Sequence, residues 1–176
     1  MTPPPAREEP EKQARRTIDA MLRAAGWDVQ DRKDMNLAAA PGVAVREFQT
    51  KAGPADYLLF LGNHLVGVIE AKKEGVNLAS IEAQTREYAA KAPTSLQVPI
   101  RPLPFLYEST GVRPFFTNGL DPDASARSVF AFHRPDVLRD WLTAELDRRQ
   151  GKPNATPAPT LKGRMRLAPP LNTAGM

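Results

Sequence analysis

A chain of 176 residues, 41% hydrophobic and 25% charged, is long enough for one ordinary soluble domain with a real core plus tails. It has no cysteine and only two histidines, His64 and His133. That excludes disulfides, thiolate zinc sites and histidine-rich metal cages, and leaves a hard cation held by carboxylates as the metal chemistry open to it. The net charge of +4 is compatible with a nucleic-acid partner, and no apolar run approaches a membrane span. The polar start, MTPPPAREEPEKQARR, does not read as a signal peptide, so a reducing cytoplasm is the expected compartment.

In chain order, the spacing of Ala14, Ile18, Met21, Leu22 and Ala25 predicts a helix over about Glu8 to Ala25, stopped by Gly26. An extended stretch begins at Trp27. After a loop at Pro41-Gly42 come three strand-like runs, Val43–Gln49, Ala55–Leu61 and Leu65–Lys72. Gly62-Asn63 is a hairpin signal between the last two. A second helix is expected over Leu78 to Ala92 with Asn77 as N-cap, followed by a proline-broken loop through Pro99, Pro102 and Pro104. Short strands are expected at Phe105–Glu108, Arg113–Thr117 and Val129–Phe132. A last helix runs from Pro135, suited to a first turn, to Arg149. The order predicts an α/β fold, a mixed central sheet with helices on both faces. The prolines of the first ten residues and of Pro153–Pro170 mark extended arms, and QGKPNATPAPT reads as a linker.

The chemistry gathers at Pro54-Ala55-Asp56 and Glu70-Ala71-Lys72. Strand side chains alternate, so Glu70 and Lys72 share a face. Asp56 and Glu70 are the hard-oxygen ligands a Mg²⁺ ion takes, with Mn²⁺ able to substitute. Such an ion activates water and neutralises charge on a phosphodiester, and a lysine beside it orients or deprotonates the water and stabilises the developing charge. The site demands a register. A strict two-residue loop at Gly62-Asn63 puts Asp56 opposite Ile69, and the two acids then face opposite ways. A three-residue loop, or an equivalent bulge, puts Asp56 opposite Glu70. The competing reading is a surface hairpin with ordinary charged ends. Against it stand the apolar flanks YLLFL and LVGVI, which place the acids at the edge of a buried sheet. Gln84 and Tyr88, four apart, share one face of the second helix, and Glu11 offers another acid from the first. Arg15, Arg16, Lys72, Lys73, Arg86 and Lys91 flank the site as candidate phosphate contacts.

These motifs together resemble the PD-(D/E)XK nuclease superfamily, in the branch with a Gln-x-x-x-Tyr helix. ARRTIDAMLRAAGW (14–27), ADYLLFLGNHLVGVIEAKKEG (55–75), PFLYESTGVRPFFTNGLDPD (104–123), FAFHRP (130–135) and LAPPLNTAGM (167–176) are similar, more narrowly, to the N-terminal nuclease domain of the R (HsdR) subunit of type I restriction enzymes. The resemblance implies a restriction-endonuclease-like fold and a type I site-specific deoxyribonuclease acting on double-stranded DNA. It also implies Asp56, Glu70 and Lys72 as the catalytic set and Gln84 and Tyr88 as positioning residues. Glu11 would be an accessory acid, and Glu47, in VREF, a further participant. The implied partners are a helicase motor in the same full-length subunit and the methylation and specificity subunits. Residues 1–7 would then be an arm, 8–150 the nuclease domain and 151–176 a linker toward a motor absent from this chain. No G-x-x-x-x-G-K-[ST] phosphate loop occurs, so no ATP site is expected here. The alternatives are a non-catalytic docking or DNA-binding module of the same complex, and a free-standing repair-type nuclease of the same fold.

Overall fold

The computed structural model describes residues 10–50, 53–72 and 85–152. Helix α1 (Pro10–Ala24) buries Ala14, Ile18 and Leu22, spaced four apart on one face. It ends as its glycine predicts. Gly26 has φ +89, its N–H donates to the Arg23 carbonyl at 3.0 Å, and the Trp27 N–H reaches back to the Leu22 carbonyl at 3.0 Å. This is the paired closure that a left-handed residue allows at a helix C-terminus.

The strands are β1 (Asp28–Asp31), β2 (Gly42–Thr50), β3 (Gly53–Leu61), β4 (His64–Ala71), β5 (Phe105–Ser109), β6 (Pro114–Asn118) and β7 (Arg127–Ser128). Among the described residues they form one sheet in sequence order. The β1–β2 and β4–β5 pairs are parallel and the rest antiparallel, so the sheet is mixed, as expected. Helix α2 covers residues 85–90 and α3 spans Pro135–Arg149. Asn77 and the first half of the expected second helix lie outside the described residues.

Two apolar layers sandwich the sheet. Ile18 and Leu22 of α1 and Leu138 and Leu142 of α3 pack with Ala44, Tyr57, Leu59, Ile69, Tyr107 and Phe116. On the other face Tyr88 and Ala89 of α2 pack with Val43, Val45, Leu58, Phe60, Val68 and Leu106. Burial on both faces explains why β3 and β4 read as continuous apolar runs rather than alternating ones.

The hairpin between β3 and β4 resolves the register question. The two-residue turn does form, with Leu61 opposite His64 and Phe60 opposite Leu65. A bulge then intervenes, and Leu59 pairs with Gly67, Leu58 with Val68 and Tyr57 with Ile69. One extra residue on β4 has been absorbed, and the ladder runs to Tyr57 opposite Ile69, the register that continues toward Asp56 and Glu70. The bulge does the work assigned to it above.

One expectation needs correction. The strand read at Val129–Phe132 is a two-residue strand at Arg127–Ser128. The Val129 N–H still donates to the Pro114 carbonyl at 2.9 Å, but the chain then leaves the ladder. Phe130 is 90% exposed, with the Arg113 guanidinium against its ring, and Phe132 turns into the core. The segment is heading for α3, so its apolar residues serve a corner rather than a pleat.

That corner is pinned by a polar contact inside aromatic packing. The Tyr107 hydroxyl lies 2.7 Å from His133 Nδ1 and accepts the His133 backbone N–H at 3.3 Å. With Nδ1 as the unprotonated nitrogen, the hydroxyl donates to it while accepting from the backbone N–H, and both of its roles are filled. Burial, helped by Arg127, holds the His133 pKa below its ordinary value, which agrees with a neutral ring. Tyr107→Phe should destabilise the fold by about 1 kcal/mol, because it removes the partner of two half-buried polar groups of His133. Urea denaturation checks this, and an unchanged midpoint would mean that the contact is dispensable.

Candidate active site

The strands that carry the proposed acids break their own alternation where the acids sit. Val45 and Phe48 lie in the same apolar layer although three positions separate them, and so do Ala55 and Leu58. Glu47, between the first pair, has φ +51, the left-handed region that few residues other than glycine adopt. Arg46 pairs with Tyr57 and Phe48 with Ala55, which brackets Glu47 opposite Asp56. The pleat therefore slips at this pair on both strands, and irregular backbone of this kind concentrates where a side chain must be aimed.

Asp56, with its side chain 12% exposed, is held from two sides. Its Oδ1 accepts from Arg15 Nη2 of α1 at 2.7 Å, and its Oδ2 accepts from the backbone N–H of Ala71 at 2.9 Å. The same guanidinium donates through Nη1 to Glu47 Oε1 at 2.7 Å. Sequence reading named Arg15 only as a flanking cation.

Below Arg15, a buried network fixes the helix to the sheet. The Tyr57 hydroxyl contacts Asp19 Oδ1 at 2.9 Å and the Arg15 carbonyl at 3.1 Å, and Arg46 donates to Asp19 Oδ2 at 2.7 Å. Burial, with Asp19 beside it, pushes the Tyr57 hydroxyl well above its ordinary pKa, so it stays protonated as a donor. Asp19 had gone unnoticed in the sequence, although it lies one helical turn after Arg15 and so shares its face.

Glu70 is 4% exposed. Its Oε1 accepts from Lys72 Nζ at 2.9 Å, so the expected Glu70–Lys72 meeting on one face occurs. Its Oε2 is buried and has no hydrogen-bond partner among the described residues. Burial raises the Glu70 pKa above the usual glutamate value; the Lys72 hydrogen bond opposes the rise and the negative charge of Asp56 adds to it. Arg15 also favours the charged form, so Asp56, Glu70 and Arg15 sit within one another's field. Glu108, 2% exposed, is the register partner of Glu70 on β5. The Lys72 N–H donates to the Ser109 carbonyl at 2.9 Å, extending that pairing past the end of β4.

Tyr88 is buried at 5% exposure in the α2 layer. Its hydroxyl lies 3.4 Å from where a Cβ on Gly53 would be, and Gly53, with φ +117, begins the strand that carries Asp56. Gln84 and Lys73 lie outside the described residues, and so does the side chain of Glu11.

Whether these residues suit a divalent ion is a question of donors. Glu70 offers a buried, unpartnered carboxylate oxygen, and Asp56 a carboxylate whose present partners leave lone pairs on both oxygens. Both are hard donors of the kind Mg²⁺ takes. Among the described residues no three acids or histidines stand together as a ready-made metal cage, so solvent or phosphate oxygens would complete any coordination. The donor set fits such an ion.

Residues 28–118 match the family described as the type I restriction enzyme EcoKI endonuclease subunit second domain. The chain belongs to that family. The type I restriction enzyme EcoKI endonuclease subunit of Escherichia coli (strain K12) is 33% identical over 91 residues, covering 45% of this chain and 8% of that protein. No solved structure matches. The family match spans β1 to β6 and contains Glu47, Asp56, Glu70, Lys72 and Tyr88, whereas Arg15 and α3 fall outside it. Among the described residues no helix is long and apolar enough to cross a membrane.

Proposed function

We propose that this chain is the Mg²⁺-dependent endonuclease domain of a type I restriction enzyme and hydrolyses phosphodiester bonds of double-stranded DNA. The observation that carries the reading is the bulged β3–β4 hairpin, whose register leads toward Asp56 and Glu70 as neighbours, with Lys72 on the Glu70 carboxylate, in a chain of this family. The EcoKI protein is named as an endonuclease subunit, and this chain spans 8% of it. On the proposed reading, residues 8–150 are the cutting domain. The 151–176 segment leads toward a helicase motor elsewhere in the subunit, and methylation and specificity subunits supply recognition in the cytoplasm.

Asp56 and Glu70 would hold the ion, which when bound supplies a lowered water pKa and charge neutralisation at the phosphate. Glu70 brings an oxygen that no other described group occupies. Lys72 keeps its ammonium 2.9 Å from that carboxylate, where it can orient a water or meet charge developing on the phosphate. Tyr88, whose hydroxyl lies close to Gly53 at the start of β3, and Gln84 would position the DNA or the active-site loop, and Glu11 would serve as the accessory acid.

A non-catalytic docking module is the second reading. It draws on the internal cations that Asp56 and Glu70 already carry, Arg15 and Lys72. Supercoiled plasmid incubated with the chain and Mg²⁺ or Mn²⁺ separates the two. The expected result is nicking that Lys72→Ala reduces about 10²-fold, the size of losing one transition-state charge contact. Equal nicking by both proteins would remove Lys72 from the chemistry. No nicking by either, together with no Mn²⁺ binding, would favour the docking reading.

A further inference from the structure

A cation already holds Asp56, and it is the guanidinium of Arg15. The fork is not closed on one carboxylate. It is divided, with Nη2 on Asp56 and Nη1 on Glu47, each at 2.7 Å. The two ends sit in different surroundings. The Glu47 side chain is 69% exposed and that of Asp56 is 12% exposed, while Arg15 itself is 40% exposed. Positive φ at Glu47 and the slipped pleat bring these two acids to one guanidinium.

We infer that Arg15 is a positioning residue that gates Asp56. Its Nη2 holds Asp56 Oδ1, an oxygen that a divalent ion would also need. When a divalent ion takes Asp56, Arg15 transfers wholly to Glu47, where it can meet a DNA phosphate. The inference rests on the nuclease reading. Three features make the exchange local. The Ala71 N–H keeps Asp56 Oδ2 in place while Oδ1 changes partner. The Tyr57 hydroxyl holds the Arg15 carbonyl, so only the side chain need move. Glu47 is a second partner at the surface, so the displaced guanidinium is never a buried unpaired charge, the state that costs most. Metal and Arg15 thus compete for one oxygen, and a competitor's removal must tighten the metal.

The test is a Mn²⁺ titration of the full 176-residue chain, followed by the electron-spin resonance signal of free ion, for wild type, Arg15→Gln, Glu47→Gln, Arg15→Gln/Glu47→Gln and Asp56→Asn. Arg15→Gln should tighten Mn²⁺ about tenfold, a coupling of ordinary size. Asp56→Asn should abolish binding. Glu47→Gln should weaken binding in the wild type, where Arg15 loses its second partner, and change nothing once Arg15 is gone. Should Arg15→Gln fail to fold, Arg15→Lys keeps the charge but not the fork and should tighten Mn²⁺ by a smaller factor. Mn²⁺ affinity equal to or weaker than wild type in the Arg15 variants overturns the gate while leaving the metal site standing. An effect of Glu47→Gln that persists without Arg15 makes Glu47 a ligand and also overturns it. Absence of Mn²⁺ binding in every protein overturns the gate by removing the metal reading beneath it.

Discussion

Glu70→Gln is expected to remove DNA cleavage and at the same time to raise thermal stability near neutral pH. The substitution keeps size and an oxygen that can accept from Lys72, and deletes only the charge. On the proposed chemistry that charge holds the divalent ion. Its loss should forfeit several kcal/mol of transition-state stabilisation, a fall in rate of about 10³-fold. Stability moves the other way because burial raises the Glu70 pKa in the fold, against the opposing pull of Lys72. An acid whose folded pKa exceeds its unfolded value favours the fold while protonated. That advantage is complete below the ordinary glutamate value of 4.5 and is lost as pH rises through the raised folded value. Above that window the wild type carries a buried carboxylate with one oxygen that has no partner among the described residues, and the glutamine variant does not carry that charge. Melting curves should therefore nearly coincide at about pH 4 and separate at about pH 7.5, with the variant the more stable. A variant that melts lower at neutral pH would show that Lys72 more than compensates the buried charge, and the stored cost would not exist.

The parts of this fold that were legible in the sequence are those with a local cause. Pro135 begins α3 and Arg149 ends it as read, because proline at a first turn and the Leu138–Leu142 spacing both act within one element. Gly26 stops α1 for an equally local reason. The bulge in β4 is different. Leu65, Val66, Val68 and Ile69 are all fully buried, on both faces, so a one-residue slip leaves no trace in the pattern. It was foreseeable only by requiring that Asp56 and Glu70 meet, an argument from chemistry rather than periodicity. The Arg15–Asp56 pair spans 41 positions, and nothing near either residue announces it. Glu47 read as an ordinary strand residue because its positive φ is imposed by the pairing of two strands, not by its own preference. Strand β7 was misplaced for the converse reason. Val129, Phe130 and Phe132 look like a pleat, but only the Val129 N–H reaches the sheet.

Gly67→Ala is expected to be the most damaging single methyl group in this chain, and its damage should reach the candidate site. Gly67 sits at the exit of the bulge, paired with Leu59 on one side and Phe105 on the other. A Cβ there would lie 2.4 Å from the Phe105 carbonyl oxygen and 3.1 Å from the Phe105 Cβ. The obstacle is backbone in the middle of a sheet, so no rotamer change relieves it, and β4 must part from β5 at their first ladder position. Overpacking of this kind costs about 3 kcal/mol, a large share of an ordinary domain's 5–15 kcal/mol. A Cβ at Gly42 makes the useful comparison. It too would come within 2.4 Å of a neighbour, but that neighbour is the ring of Pro135 at the start of α3. A helix end resting on a sheet can lift, whereas two hydrogen-bonded strands cannot, so Gly42→Ala should cost less. The β4–β5 ladder that Gly67→Ala disturbs runs on through Glu70 opposite Glu108 to the Lys72 N–H on Ser109. Cleavage by any surviving folded protein should therefore fall further than its folded fraction, whereas Gly42→Ala should lose activity only in step with stability. Urea midpoints and nicking rates of the two variants together decide the matter. Equal midpoints would mean that β4 and β5 can separate as easily as a helix can lift, and the sheet would not be the rigid support that this placing of Glu70 and Lys72 requires.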